Sequence, residues 1–250
     1  WNFKGFVVSD WNGVQQLTTQ GVVANDKGAA VLALNAGVDM NMTDGVYNKY
    51  LKEAVKDKQM SMDVINESVY RILAVKYKLG LFTDPYRFCD ESREKKEIMS
   101  DNVMALARKA AQRSIVLLQN KDNILPLKNN VKKVALVGPL AANQAELLGS
   151  WKAFGLPNDV VSVQQGLKNK WNDKVVVNYA KGCDFADEDT SGFDEAVKVA
   201  QESDVIIAVM GEKALMSGES RSRAKLNLPG VQEQLLERLA ATGKPVLVVL

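Results

Sequence analysis

The second half of the chain is punctuated by valine-rich apolar runs at residues 131–137, 175–179, 204–210 and 246–250. Between the last three, Phe193, Ala196, Val197 and Ala200, then Val231, Leu235, Leu236 and Leu239, recur at helical three- and four-residue spacing. Strands that are apolar throughout, separated by helices, predict a mostly parallel sheet covered on both faces. The first half reads differently. Residues 5–10 form a short apolar run stopped by Ser9 and Asp10, the pattern of a buried strand presenting Asp10 at its C-terminal end. A second strand is expected near 38–42. Helices are predicted over 28–36, stopped by Gly37, and over 46–58. The clearest helix carries Met62, Ile65, Val69, Ile72, Leu73 and Leu79 on one face, with Ser61 as its cap and Gly80 as its stop. Residues 82–96 read as an exposed polar connection, and an amphipathic helix is predicted over 101–118.

One or two parallel strands do not make a stable sheet alone. The N-terminal part is therefore expected to be the end of a βα-repeat domain whose other strands lie upstream. The chain starts at Trp1, inside what reads as a structured segment, and ends on the strand-like 245–250, so it reads as a piece of a longer protein. Alone, it is expected to be inactive and prone to aggregation. The change of texture near residues 120–128 divides it into 1–122 and 123–250.

Composition narrows the chemistry. Among 250 residues there is no histidine, which removes Ser-His-Asp and Cys-His catalysis, HExxH zinc sites and imidazole acid/base chemistry from these residues. Lys plus Arg is 32 against Asp plus Glu 30, with no basic stripe of the kind nucleic acid requires. No apolar run approaches the roughly 18 residues of a membrane span. The two cysteines, Cys89 and Cys183, are far apart and read as free buried thiols. Gly138-Pro139 follows a strand, but no phosphate-binding glycine fingerprint is present and the proline removes a backbone N–H.

Candidate chemistry begins with Asp10. A carboxylate at the C-terminal end of a βα-fold strand lies on the face where active sites assemble. Trp11 beside it suits the apolar face of a sugar ring. A turn-capping aspartate fits the same spacing equally well.

The segment Gly5-Phe6-Val7-Val8-Ser9-Asp10-Trp11-Asn12-Gly13 resembles the nucleophile signature of glycoside hydrolase family 3. The resemblance continues in order through Ala36-Gly37-Val38-Asp39-Met40, Val69-Tyr70-Arg71-Ile72-Leu73, Ser114-Ile115-Val116-Leu117-Leu118, Gly149-Ser150-Trp151 and Tyr179-Ala180-Lys181-Gly182-Cys183. It is strongest to bacterial periplasmic β-glucosidases. It implies an α/β fold: the C-terminal part of a (β/α)8-type barrel, then an α/β sandwich with a mostly parallel sheet. It also implies a retaining exo-β-glycosidase acting on a β-linked oligosaccharide or glucoside, in the periplasm or secreted. No metal, organic cofactor, nucleic acid or membrane partner is implied. By the resemblance Asp10 is the nucleophile, and Glu219 in Gly218-Glu219-Ser220-Arg221-Ser222-Arg223 is the general acid/base from the second domain. Trp11 and Trp151 are the sugar-binding aromatics, whereas Phe154, Met40 and Met42 are expected to pack internally.

Glu219 read without the resemblance is a loop glutamate beside arginines, a common surface arrangement. An acid needs a raised pKa, and an adjacent guanidinium lowers it, so Arg221 and Arg223 are expected to turn away from Glu219. Glu212, at the end of the preceding strand, is the rival acid. A non-catalytic carbohydrate-binding α/β module, a β-xylosidase and a glycoside phosphorylase are the alternative functions.

Overall fold

A computed structural model describes residues 3–250, leaving the first two residues of the segment expected from Trp1 outside the description. The chain forms two compact units, Trp1–Ile115 and Val116–Leu250.

In the first unit, β1 (Val8–Trp11) pairs in parallel with β2 (Met40–Met42). Between them lie α1 (Gly13–Thr19) and α2 (Asp26–Asn35); α3 (Val46–Lys56) and α4 (Met62–Lys78) follow. The caps follow local chemistry: Asn25 accepts the Gly28 N–H, Ser61 accepts the Asp63 N–H, and Gly37 and Gly80 take positive φ just past their helices. The core lies among the helices, where Val14, Ala30, Leu34, Val46 and Ala54 meet. The strands differ from expectation in burial, since Val8 is 44% exposed and Met40 and Met42 are also exposed. A parallel strand is buried when neighbours flank both edges and helices cover both faces. Among the described residues each of these strands has one neighbour.

Two segments of this unit depart from the pattern. Within the expected connection, α5 (Glu91–Glu97) forms because the Asp90 carboxylate accepts the Ser92 N–H at 3.0 Å and caps it. The next helix, α6 (Asp101–Ser114), stops four residues short of the expected end, where Ile115 turns extended (ψ 128°) at the head of a β-branched pair.

In the second unit, β3 (Lys133–Val137), β4 (Val176–Ala180), β5 (Val205–Val209) and β6 (Val246–Val249) form one all-parallel sheet in the order β4-β3-β5-β6. The central strands are buried on both faces. On one face α8 (Phe193–Gln201) and α9 (Gln232–Ala240) pack Ala196, Ala200, Leu235 and Leu239 against Ala135, Val137 and Ile206. On the other, Val134, Leu136 and Ile207 meet Val163, Leu167 and Trp171 of α7 (Val163–Trp171). The i, i+4, i+8 spacing of those three residues is the signal for α7, a helix the strand pattern did not reveal.

The strand order fixes where loops can cooperate. From β3 the chain moves to β4 on one side and then crosses to β5 on the other, so β3 and β5 flank the point where direction reverses. In open parallel sheets the crevice at that point, outside the strand C-termini, is where ligands bind. The loops after β3 and after β5 both begin there.

Candidate active site

Each unit carries one of the carboxylates singled out in the sequence. In the first, Asp10 is the third residue of β1 and is exposed, with its Oδ1 accepting the Trp11 N–H at 2.7 Å. The turn that follows is pinned to the end of β2. Ser9 Oγ accepts the Met42 N–H at 2.9 Å, the Asn12 N–H reaches Met42 O at 3.1 Å, and Thr43 Oγ1 donates to Asn12 Oδ1 at 2.8 Å. Asn12 and Thr43 both take positive φ, which brings the two strand ends together. Ser9 and Asp10 line a hollow of about 390 Å³ walled by Val14, Leu17, Leu32 and Val38. Trp11 projects its indole into solvent.

Asp39 is the residue this strand pair depends on, and its role was missed in the sequence. Its side chain is 1% exposed and pairs with Arg71 of α4. Its carboxylate also accepts the Val7 N–H at 2.9 Å, and Ser68 Oγ donates to its backbone carbonyl at 3.1 Å. Burial pushes its pKa up, but the bonds from Arg71, Val7 and Ser68 outweigh that and hold it below the usual carboxylate range. The signal available was an aspartate inside an apolar strand segment together with an arginine on the clearest helix.

In the second unit, Glu219 lies on the long loop after β5, exposed to solvent. Gly218 before it has φ +110°, and a Cβ there would stand 2.5 Å from Ser150 Oγ. Glycine thus lets this loop lie directly on the loop after β3, with the Trp151 indole nitrogen at 3.7 Å from the same point. Trp151 is 75% exposed, so its ring is available to a ligand. Phe154, expected in the core, is instead 98% exposed, because the loop after β3 runs on the surface there. Among the described residues Glu219 makes no hydrogen bond or ion pair. Arg223 turns instead to Glu212, with which it forms a direct ion pair, and donates to Asn227 O at 3.0 Å. The rival carboxylate is therefore occupied and the candidate acid is free of guanidinium contact.

Of the two thiols expected to be free and buried, only Cys89 differs. Cys183 is buried and Cys89 exposed.

Two family models match the chain, one over the part that contains Asp10 and one over the part that contains Glu219. The glycosyl hydrolase family 3 N-terminal domain covers residues 1–75 and its C-terminal domain residues 115–250. The chain belongs to glycosyl hydrolase family 3. A relative named periplasmic beta-glucosidase, from Salmonella typhimurium, is 36% identical across all of this chain, which covers 36% of that protein. A beta-xylosidase from Formosa agariphila is 39% identical over 99% of the chain and 36% of its own length. The crystal structure of a beta-glucosidase from Listeria innocua superposes with TM-score 0.89 at 34% identity, covering 98% of this chain and 33% of that one. A point mutant of that enzyme has been crystallised with laminaribiose, and the enzyme itself with glucose. The chain thus spans about a third of the length of these relatives. Their family architecture, a (β/α)8 barrel followed by an α/β sandwich, accounts for the two kinds of parallel strand in this chain. Among the described residues no helix is long and apolar enough to cross a membrane.

Proposed function

We propose that this chain supplies the two catalytic carboxylates of a retaining exo-β-glycosidase that removes terminal β-D-glucosyl residues. The observation that carries the reading is the loop after β5. Among the described residues Glu219 has no ion pair there, Gly218 before it lies against Ser150 and Trp151, and the neighbouring Arg223 is committed to Glu212.

In the mechanism, Asp10 attacks the anomeric carbon as Glu219 gives its proton to the departing glycosidic oxygen. Glu219 then takes a proton from water, which attacks the anomeric carbon and frees Asp10. Such chemistry requires the two carboxyl groups about 5–5.5 Å apart around the sugar. Trp11 and Trp151 are each exposed and would each offer an aromatic face to a sugar ring. Since relatives of similar identity carry the names beta-glucosidase and beta-xylosidase, the substrate is a β-glucoside or, second, a β-xyloside. A periplasmic location is proposed from the Salmonella relative.

The test is a panel of nitrophenyl β-glycosides on a form carrying the complete barrel. Glucoside turnover that is lost in Asp10→Asn, with a 2-deoxy-2-fluoroglucoside trapping label on Asp10 in the unsubstituted enzyme, supports the reading. Label on another residue overturns the nucleophile assignment. Binding of glucosides without turnover would make this a carbohydrate-binding module instead, and nitrophenol release only in the presence of phosphate, with a sugar 1-phosphate as the other product, a phosphorylase.

A further inference from the structure

Gln232 opens α9 with 0% exposure, and its carboxamide is fully used. Its Nε2 donates to Gly211 O at 2.8 Å, Phe185 O at 2.9 Å and Pro229 O at 3.2 Å, while its Oε1 accepts the Gly211 N–H at 2.9 Å. Gly211 and Pro229 are the two ends of the loop that carries Glu219. One buried side chain therefore closes that loop at its base and ties it to the loop after β4 through Phe185.

A second anchor holds the loop further out. Glu146, in the loop after β3, accepts the Ala214 N–H at 2.6 Å through Oε2, and is itself held by Asn143 Oδ1 accepting its N–H at 2.9 Å. Beyond Ala214, Gly218 lies against Ser150. Because Glu219 has no hydrogen bond of its own among the described residues, its location is set by the backbone that carries it. That backbone is set by these two anchors.

We propose that Gln232 and Glu146 are positioning residues for the general acid/base, holding the loop where Glu219 can reach the glycosidic oxygen without touching substrate themselves. The proposal rests on the reading of Glu219 given above. An apolar side chain at 232 would strip one N–H and three carbonyls of a partner inside the core, and removing the Glu146 carboxylate would release Ala214. A loosened loop would misplace the proton donor while leaving the nucleophile's chemistry intact.

A purely structural residue and a positioning residue differ in which substrates suffer. A phenyl β-glucoside needs its leaving oxygen protonated as the bond to the sugar breaks, whereas 2,4-dinitrophenolate leaves without that help. The experiment measures kcat/KM for both glucosides in a form carrying the complete barrel. Competent sites are counted by the dinitrophenolate burst from 2,4-dinitrophenyl 2-deoxy-2-fluoro-β-glucoside. Per competent site, Gln232→Met and Glu146→Ala are each expected to lose about tenfold or more on the phenyl glucoside, with the dinitrophenyl glucoside changed by less than about threefold. Glu146→Gln, which keeps an acceptor oxygen for Ala214, is expected to recover much of the loss. Equal losses on both substrates, beside a selective loss in Glu219→Gln, would overturn the positioning role and leave the acid assignment standing. No selectivity in Glu219→Gln itself would overturn that assignment, and the positioning role with it. If Gln232→Met yields no folded protein, the two Glu146 variants decide.

Discussion

Arg71 donates to Asp39 Oδ1 from both Nε and Nη2, at 3.0 and 2.7 Å, and so joins the helix α4 to the strand pair that presents Asp10. The other carboxylate oxygen of Asp39 holds the Val7 N–H, one residue before β1 begins. The strand bearing Asp10 is thus attached through a buried charge pair, while its one valine, Val8, is exposed.

Removing one partner of such a pair leaves a buried charge uncompensated, which costs about 2–4 kcal/mol here because Arg71 is partly solvated. Arg71→Met is therefore expected to speed native-state hydrogen exchange of the Val7 amide at least about tenfold. Because folding lowers the Asp39 pKa, its stabilisation is complete above the unfolded value near about 4 and is lost as pH falls through the lower folded value. Asp39→Asn should flatten that acid limb; an unchanged limb would show that other carboxylates dominate it.

The two carboxylates of the β5 loop separate by substitution. Glu219→Gln is expected to lower turnover of a phenyl glucoside by about a hundredfold or more, as the loss of a general acid does. Glu212→Gln gives up the ion pair to Arg223 and is expected to retain most activity while lowering thermal stability slightly. The reverse ranking in steady-state kinetics would assign the acid to Glu212.

Gly218→Ala is expected to displace the loop rather than fit it. At φ +110° a side chain costs about 1–3 kcal/mol in backbone strain, and the new methyl would meet Ser150 at 2.5 Å. A fall in activity with the fold retained by circular dichroism would locate the effect in the loop. Pairing it with Ser150→Gly, which removes the clash but not the strain, is expected to restore activity in part.

The thiols are expected to react very differently. Burial, with Asp187 and Asp184 nearby, pushes the Cys183 thiol up to about 11. Of these two thiols, Cys89 should therefore react with a disulfide reagent at about pH 8 in the folded protein, and Cys183 only after denaturation. Mass spectrometry of the labelled peptides checks the assignment.

Much of the second unit could be read along the chain because its signals are local. Continuous valine runs and helical spacing depend on neighbours a few residues away, and they place β3 to β6, α8 and α9 within a residue or two. The helix α7 was overlooked because Val163, Leu167 and Trp171 are separated by polar residues and its stripe is narrow. Asp10 and Glu219 stood out by motif, and Gly218 by the turn it permits. Burial was less legible. Phe154 and Cys89 are exposed, and β1 and β2 present their valines and methionines to solvent, because burial depends on what other segments cover.

What the sequence determined by itself was the order of all the strands and most of the helices, the family motifs, and the absence of histidine, which removes imidazole acid and base chemistry from these residues. Tertiary structure decided the pairings. Arg71 meets Asp39 across 32 positions, Arg223 chooses Glu212 over Glu219, and Gln232 reaches back 21 positions to Gly211. The reason is physical: helix and strand signals come from periodicity within one element, but a hydrogen bond between side chains is fixed by how separate elements pack, and no local spacing encodes that distance.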